Sequence, residues 1–293
     1  MGILEGKVAI VTGAGGGLGR AHALALAREG AAILVNDLGG AVDGTGAGTT
    51  MADAVVGEIK DAGGRAVANH GSVTSADDAQ GMVQQAVAEF GQLDILVNNA
   101  GILRDKTFKK TTEDLWDPVI AVHLKGTYNA TRAAYLHMVE QGTGGRIIMT
   151  SSTSGLIGNF GQSNYGAAKA GIAGFMRCLA LEGTKAGITV NVLAPNAYSR
   201  MTSSLFPEGS EERLAPEKVS PAIVWLCSDE AKDITGRQFV ISGNRVLLLY
   251  PAVLEIADRD AAEGPWTPQQ IGERIRKSVS EWPEPINVAK LIF

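Results

Sequence analysis

Short runs rich in β-branched residues alternate along this chain with longer stretches whose apolar positions recur at helical spacing. Val8-Ala9-Ile10-Val11 is continuously apolar, the pattern of a strand covered on both faces in a parallel sheet. A helical pattern follows over about 18–28 and stops at Gly30, a residue suited to the left-handed position just past a helix. Further strands are predicted at 32–36, 65–69, 93–98, 146–150, 188–193 and 238–241. Between them helices are predicted at about 51–61, 75–90, 111–138, 164–182 and 217–226. Ser75 with Asp78, and Thr111 with Asp114, carry the spacing of a capping box, and Thr267-Pro268 with Gln270 signals one more helix start. Residues 38–50, rich in Gly and Thr, read as a long loop or lid. Strands alternating with helices imply an α/β fold: a doubly wound Rossmann-type parallel sheet in a single domain. Residues 1–245 would carry the cofactor and catalytic sites, and 246–293 would be a partly helical C-terminal extension of the same domain.

Composition narrows the partners without changing that picture. Apolar residues make up 45% and charged ones 19%, ordinary for a folded domain with a sizeable core. The net charge of −5 carries no basic stripe, so nucleic acid is not an expected partner. Cys178 and Cys227 support neither a disulfide framework nor a metal site, and both lie in apolar helical patterns that predict inert buried thiols. No metal is expected. Glu5 and Lys7 interrupt the first apolar stretch before a signal-peptide core forms, and no run is long enough for a membrane span. The terminal Leu291-Ile292-Phe293 is not a peroxisomal address, so the expected location is cytoplasmic.

The first strand runs through Thr12-Gly13-Ala14-Gly15-Gly16-Gly17-Leu18-Gly19 straight into a helix. Glycines there permit a tight turn and let backbone amides approach a pyrophosphate, whose charge a helix N-terminus favours. Gly13, Gly17 and Gly19 are therefore candidate cofactor residues. Asp37 closes the second strand, where a carboxylate can hold the adenosine ribose hydroxyls. No arginine stands nearby to meet a 2′-phosphate, which favours NAD over NADP.

The spacing Gly-x-x-x-Gly-x-Gly resembles that of the short-chain dehydrogenase/reductase family. Asn98-Asn99-Ala100-Gly101 after the fourth strand is similar to that family's motif, as is Ser152 followed by Tyr165 and Lys169. Tyr165 and Lys169 are one helical turn apart and share a face. A phenol titrates near 10, so it becomes a competent base only where positive charge favours the phenolate. Lys169 and a nicotinamide ring would supply that charge, Tyr165 would remove the alcohol proton, and Ser152 would hold the developing carbonyl oxygen. Lys169 would also hold the nicotinamide ribose.

The segments VNDLGG (35–40), NNAGILRD (98–105), GNFGQSNYGAAK (158–169) and APNAYSRMT (194–202) resemble a subgroup. It is the (3R)-hydroxyacyl-CoA dehydrogenase domain of peroxisomal multifunctional enzyme type 2, and the resemblance spans residues 5 to about 240. It implies NAD, a 3-hydroxyacyl-CoA substrate oxidised to the 3-ketoacyl-CoA, a role in fatty acid β-oxidation, and a homodimer or homotetramer. It further implies that Leu18 touches the cofactor at the turn, that Ser72 and Val73 flank the adenine, and that Asn99 lies under the adenosine. Ala197, Tyr198, Ser199, Arg200 and Thr202 would close over the nicotinamide. His123 stands where the wider family has Asn, as in the subgroup, and is either a packing residue or part of a proton relay. Pro195-Asn196 likewise replaces the family's Pro-Gly. The hydratase and sterol-carrier modules of the multifunctional protein are not in this sequence, so a hydratase partner would be a separate chain. A hydroxysteroid or sterol-side-chain-CoA dehydrogenase is an alternative, and a catalytically silent NAD-binding sensor is one from another class. For the 164–182 helix, small and apolar residues on more than one face leave a face for a symmetry mate.

Overall fold

The computed structural model describes residues 2–199, 201–202, 206–259, 264–284 and 286. Eight strands form one sheet: β1 (Val8–Thr12), β2 (Ala32–Asn36), β3 (Ala66–Asn69), β4 (Ile95–Asn98), β5 (Gly145–Thr150), β6 (Ile188–Asn196), β7 (Gln238–Ser242) and β8 (Arg245–Leu249). Their order is β3-β2-β1-β4-β5-β6-β7-β8, and all pair in parallel except β8, which is antiparallel to β7. Order reverses between β1 and β4, opening a crevice at the carboxyl ends of those strands. β1, β2, β4 and β5 are buried along their whole length, as their apolar runs require.

Nine α-helices flank the sheet among the described residues: α1 (Gly17–Arg28), α2 (Thr50–Asp61), α3 (Ala76–Phe90), α4 (Glu113–Ile120), α5 (Gly126–Gln141), α6 (Thr153–Leu156), α7 (Ser163–Gly183), α8 (Ser220–Cys227) and α9 (Pro268–Ser278). One buried cluster joins the sheet to α1, α2 and α8 through residues such as Leu26, Ile59 and Ile223. The cluster on the other face uses Met82, Met138 and Met176 from α3, α5 and α7.

Local signals set most boundaries. Ser75 accepts from the Asp78 amide, but the Asp78 carboxylate turns to the Ser72 amide, so only half of that capping box forms. The Thr267–Gln270 box is complete. Gly30, with a φ of +99°, follows the end of α1 as its residue type suggests.

Three expectations are corrected. The helix predicted over 111–138 is not continuous, and Thr111 does not cap it: its hydroxyl reaches the Lys106 and Thr107 carbonyls while α4 starts at Glu113. Pro118 lies inside α4, and the five residues Ala121–Lys125 then widen into a π turn before α5. Cys227 is buried, but Cys178 is exposed on α7, because that helix's apolar residues occupy more than its sheet-facing side. The helix predicted over 217–226 splits into a 3-10 turn at Pro216–Lys218 and α8. β8, whose residues gave no legible pattern, crosses the expected boundary at 245/246 and continues the sheet into the C-terminal segment. No helix among the described residues is long and apolar enough to cross a membrane.

Candidate active site

The carboxyl ends of β1 and β4 are stitched together by side chains. Thr12 Oγ1 accepts from the amides of Asn99 and Ala100 at 3.0 and 3.1 Å, and Asn99 Nδ2 donates to the carbonyls of Thr12 and Gly13 at 3.0 Å each. The turn is therefore rigid although it is glycine-rich. A Cβ on Gly13, where φ is +63°, would stand 2.7 Å from Ala100 Cα, and one on Gly19 would strike the Gly13 carbonyl. Gly19 thus lets α1 abut the turn and does not itself line the cavity. No side chain caps α1, so the dipole at its first turn faces open space.

Asp37 binds back to this turn. Its Oδ2 accepts from the Gly15 amide and its Oδ1 from the Gly39 amide, both at 2.7 Å. Asn36 reaches Asn69 Oδ1 and the Gly71 carbonyl, which carries the 71–73 segment to the crevice edge, and Asn129 on α5 holds the Val73 and Thr74 carbonyls.

These groups open into one cavity of about 670 Å³. Gly13, Gly17, Leu18, Asp37, Ser72, Val73 and Asn99 line one half, and Ser152, Tyr165 and Lys169 stand in the other with Ala197, Ser199 and Thr202. Tyr198 does not line the cavity; desolvation, then its hydrogen bond with Glu211, raise its phenol pKa. Arg200 lies outside the described residues. Residues of the 38–50 segment form the roof: Leu103 N donates to the Val42 carbonyl at 3.0 Å and Arg104 Nε to the Asp43 carbonyl at 2.9 Å.

The three predicted catalytic side chains meet where α6 and α7 follow β5. Ser152 is the second residue past β5 and accepts from the Ser154 amide as the N-cap of α6. Gly155 lets α6 lie on α7, since a Cβ there would be 2.6 Å from the Lys169 backbone. Lys169 is buried and its Nζ donates to the Thr150 carbonyl at 2.6 Å, 5.5 Å from the centre of the Tyr165 ring. Burial pushes the Lys169 ammonium down to about 7. It pushes the Tyr165 phenol up to about 12, a rise that the nearby Ser152 hydroxyl opposes and the Asp105 carboxylate reinforces. Desolvation therefore outweighs the favourable neighbours, and the protein alone holds the phenol protonated.

His123, on the π turn, is buried with its ring edge against Tyr165, the centroids 5.1 Å apart at 89°. Burial, then the Lys169 charge, hold its pKa well below the usual range. Its Nε2 lies 2.7 Å from the Ile102 carbonyl and 3.0 Å from the Ile102 amide, while Nδ1 has no partner. A Cβ on Gly101 would be 2.3 Å from the imidazole, so Gly101 makes room for it.

Gln162, within the segment 158–169, is the hub of the far wall. It is buried, its Nε2 donates to Asp105 at 2.6 Å, and its Oε1 accepts from Ser154 and Asn159 at 2.6 and 3.0 Å. Its offset of three residues before Tyr165 was the only signal in the sequence. Asp105 sits above its usual pKa because its partial desolvation outweighs the Gln162 hydrogen bond.

A short chain dehydrogenase family model matches residues 7–208. Over 232 residues the chain is 51% identical to the peroxisomal multifunctional enzyme type 2 of Mus musculus, covering 79% of this chain and 31% of that protein. A hydroxyacyl-CoA dehydrogenase of Mycobacterium tuberculosis is 38% identical over 287 residues, covering 93% of this chain and 88% of its own. Among solved structures, a short chain dehydrogenase from Mycobacterium avium superposes with a TM-score of 0.85 at 44% identity, covering 97% of this chain and 98% of that one. A 7α-hydroxysteroid dehydrogenase complexed with NADH and a 7-oxo bile acid superposes with a TM-score of 0.74 at 28% identity, covering 82% and 94%.

Proposed function

This chain belongs to the short-chain dehydrogenase family, and we propose that within it the protein oxidises the secondary alcohol of a (3R)-3-hydroxyacyl-CoA to the 3-ketoacyl-CoA with NAD. Its oxidoreductase class follows from the family. The observation that carries the finer reading is the continuity of one cavity from the glycine turn and Asp37 to Ser152, Tyr165 and Lys169. The two relatives named for multifunctional and hydroxyacyl-CoA dehydrogenase proteins support the thioester. The chain spans about a third of the first of these, so that protein's other activities stay outside the reading.

The cavity fits a dinucleotide. The uncapped start of α1 suits a pyrophosphate, and Thr150 Oγ1 and Asn196 Nδ2 are buried in the cavity wall without partners. Each Asp37 oxygen keeps acceptor capacity beyond its backbone bond and faces a ribose more readily than a phosphate of its own sign. A bound nicotinamide ring supplies the hydride acceptor and a positive charge. Tyr165 Oη takes the hydroxyl proton, Ser152 Oγ donates to the oxygen as it becomes a carbonyl, and Lys169 Nζ favours the phenolate. His123 stays neutral beside the ring and fixes its edge, acting as a positioning residue. Gln162, held by three partners, gives the far wall a fixed polar surface opposite the thioester.

The chain is read as a homodimer or homotetramer. Residues 1–245 bear the site, with 246–293 extending the same domain. Initial rates of NAD reduction with (3R)- and (3S)-3-hydroxyacyl-CoA thioesters and hydroxysteroids test the assignment. The (3R)-thioester is expected to give the highest kcat/KM; preference for a steroid overturns the substrate, and preference for NADP overturns the cofactor.

A further inference from the structure

Beside the far wall of the cavity, residues 106–110 (KTFKK) put three lysines into five positions of a chain whose net charge is −5. Lys106 forms a parallel bridge with Gln162, so this segment runs along the rim next to the residue that lines the wall. A 3-10 turn follows at Phe108–Lys110, and Lys106, Lys109 and Lys110 are all exposed. None of the three forms an ion pair among the described residues. The nearest carboxylate, Asp105, is held by Gln162, and Glu113 and Asp114 follow at the start of α4.

Two exposed aromatic rings lie within two residues in sequence of the bridged pair Lys106 and Gln162. Phe108 is 76% exposed and Phe160, two residues before Gln162, is 87% exposed. Exposed phenyl rings beside cations without carboxylate partners offer apolar faces and free positive charge together on one stretch of surface. The combination matches a phosphorylated nucleotide: lysines meet phosphates as point charges, and phenyl faces stack on a base.

We propose that Lys106, Lys109 and Lys110, with Phe108 and Phe160, form an outer binding site for the 3′-phosphorylated ADP end of coenzyme A. It rests on the thioester reading above. With the reacting carbon at Tyr165, the pantetheine arm leaves past Gln162 and delivers the diphosphate and adenine to the rim. The site adds affinity for one part of the substrate that takes no part in the chemistry.

The test compares (3R)-3-hydroxybutyryl-CoA with its N-acetylcysteamine thioester, which lacks the nucleotide. Wild type is expected to favour the CoA ester in kcat/KM by tenfold or more, with a KM that rises with salt. In Lys109→Glu/Lys110→Glu that ratio should fall about tenfold, and in Phe108→Ala/Phe160→Ala by a smaller factor. A wild-type ratio near one, or a ratio that neither variant changes, overturns the outer site while the thioester reading stands. Oxidation of neither thioester means that the thioester reading itself has failed. Calorimetric titration of the NAD-mixed protein with free coenzyme A then decides the site alone. Saturable, salt-sensitive binding that the lysine variant weakens supports it, and no binding overturns it.

Discussion

The two edges of the parallel sheet bury polar groups in opposite ways. At the amino edge they are closed pairs. Asp94 accepts from the Val8 amide and from Gln92, and the buried Arg146 donates to the Ser228 and Gly145 carbonyls and contacts Asp229. At the carboxyl edge Thr150 Oγ1, Asn196 Nδ2 and His123 Nδ1 are buried without partners, and desolvation moves both Tyr165 and Lys169 toward neutrality. Among the described residues the amino edge has Thr189 Oγ1 as such an orphan. An unpaired buried polar atom costs more than the net gain from a made hydrogen bond, so such atoms survive where a ligand completes them. The edge that is poorly closed is the edge where the proposed site lies.

Substitutions should therefore separate turnover from stability according to edge. The largest effect is expected for Tyr165→Phe, which keeps the ring against His123 but removes the oxygen that takes the proton. Loss of a general base costs ~10²–10⁴-fold in kcat. NAD binding followed by fluorescence, and the melting temperature, should stay near wild type; retained turnover would overturn the assignment of Tyr165.

Asp37→Ala should weaken NAD by roughly 10–100-fold, the equivalent of a charged hydrogen bond, and narrow the preference over NADP without creating tight NADP binding. The readout is kcat/KM for both cofactors. Because Asp37 also accepts from the Gly15 and Gly39 amides, some loss will come from a looser turn. Asp37→Asn removes the charge but can keep only one of the two amide bonds, because its NH2 cannot accept, so its melting temperature against that of Asp37→Ala reports the share owed to the turn.

Arg146→Ala probes the closed edge. It strips the Ser228 and Gly145 carbonyls of a buried donor and should lower stability by ~1–3 kcal/mol with kcat unchanged. Urea unfolding monitored by circular dichroism measures this. A fall in kcat with unaltered stability would erase the distinction between the edges.

The smallest effect near neutrality involves His22, buried on α1 with Nδ1 2.9 Å from Ser220 Oγ on α8. Burial lowers its pKa to about 3. The unfolded chain therefore binds more protons between that value and about 6.5, and the stability of the neutral imidazole is complete above 6.5 and lost as pH falls. At pH 5 the loss is ~2 kcal/mol, and His22→Asn should flatten that part of the profile. An equally steep loss in the variant would assign the acid sensitivity to other groups.

What the linear sequence determined is local or periodic. Apolar runs bounded by glycine located seven strands, most sharply β1 and β2, whose full burial favours an almost wholly apolar run. The glycine turn, Asp37 and the i, i+4 pair Tyr165–Lys169 were legible because each needs only short-range geometry. Tertiary structure decided the rest. Residues 245–249 became a strand because β7 offered an open edge, not because of their own alternation. The 121–125 segment opened into a π turn that carries His123 to Tyr165. Gln162, one polar residue among several in its loop, became a hub only when residues 57 positions back along the chain supplied Asp105 as its partner. Cys178 and Cys227 lie in similar apolar patterns, and only packing left one exposed and the other buried. Burial and long-range pairing depend on which surfaces meet, and no local pattern encodes that.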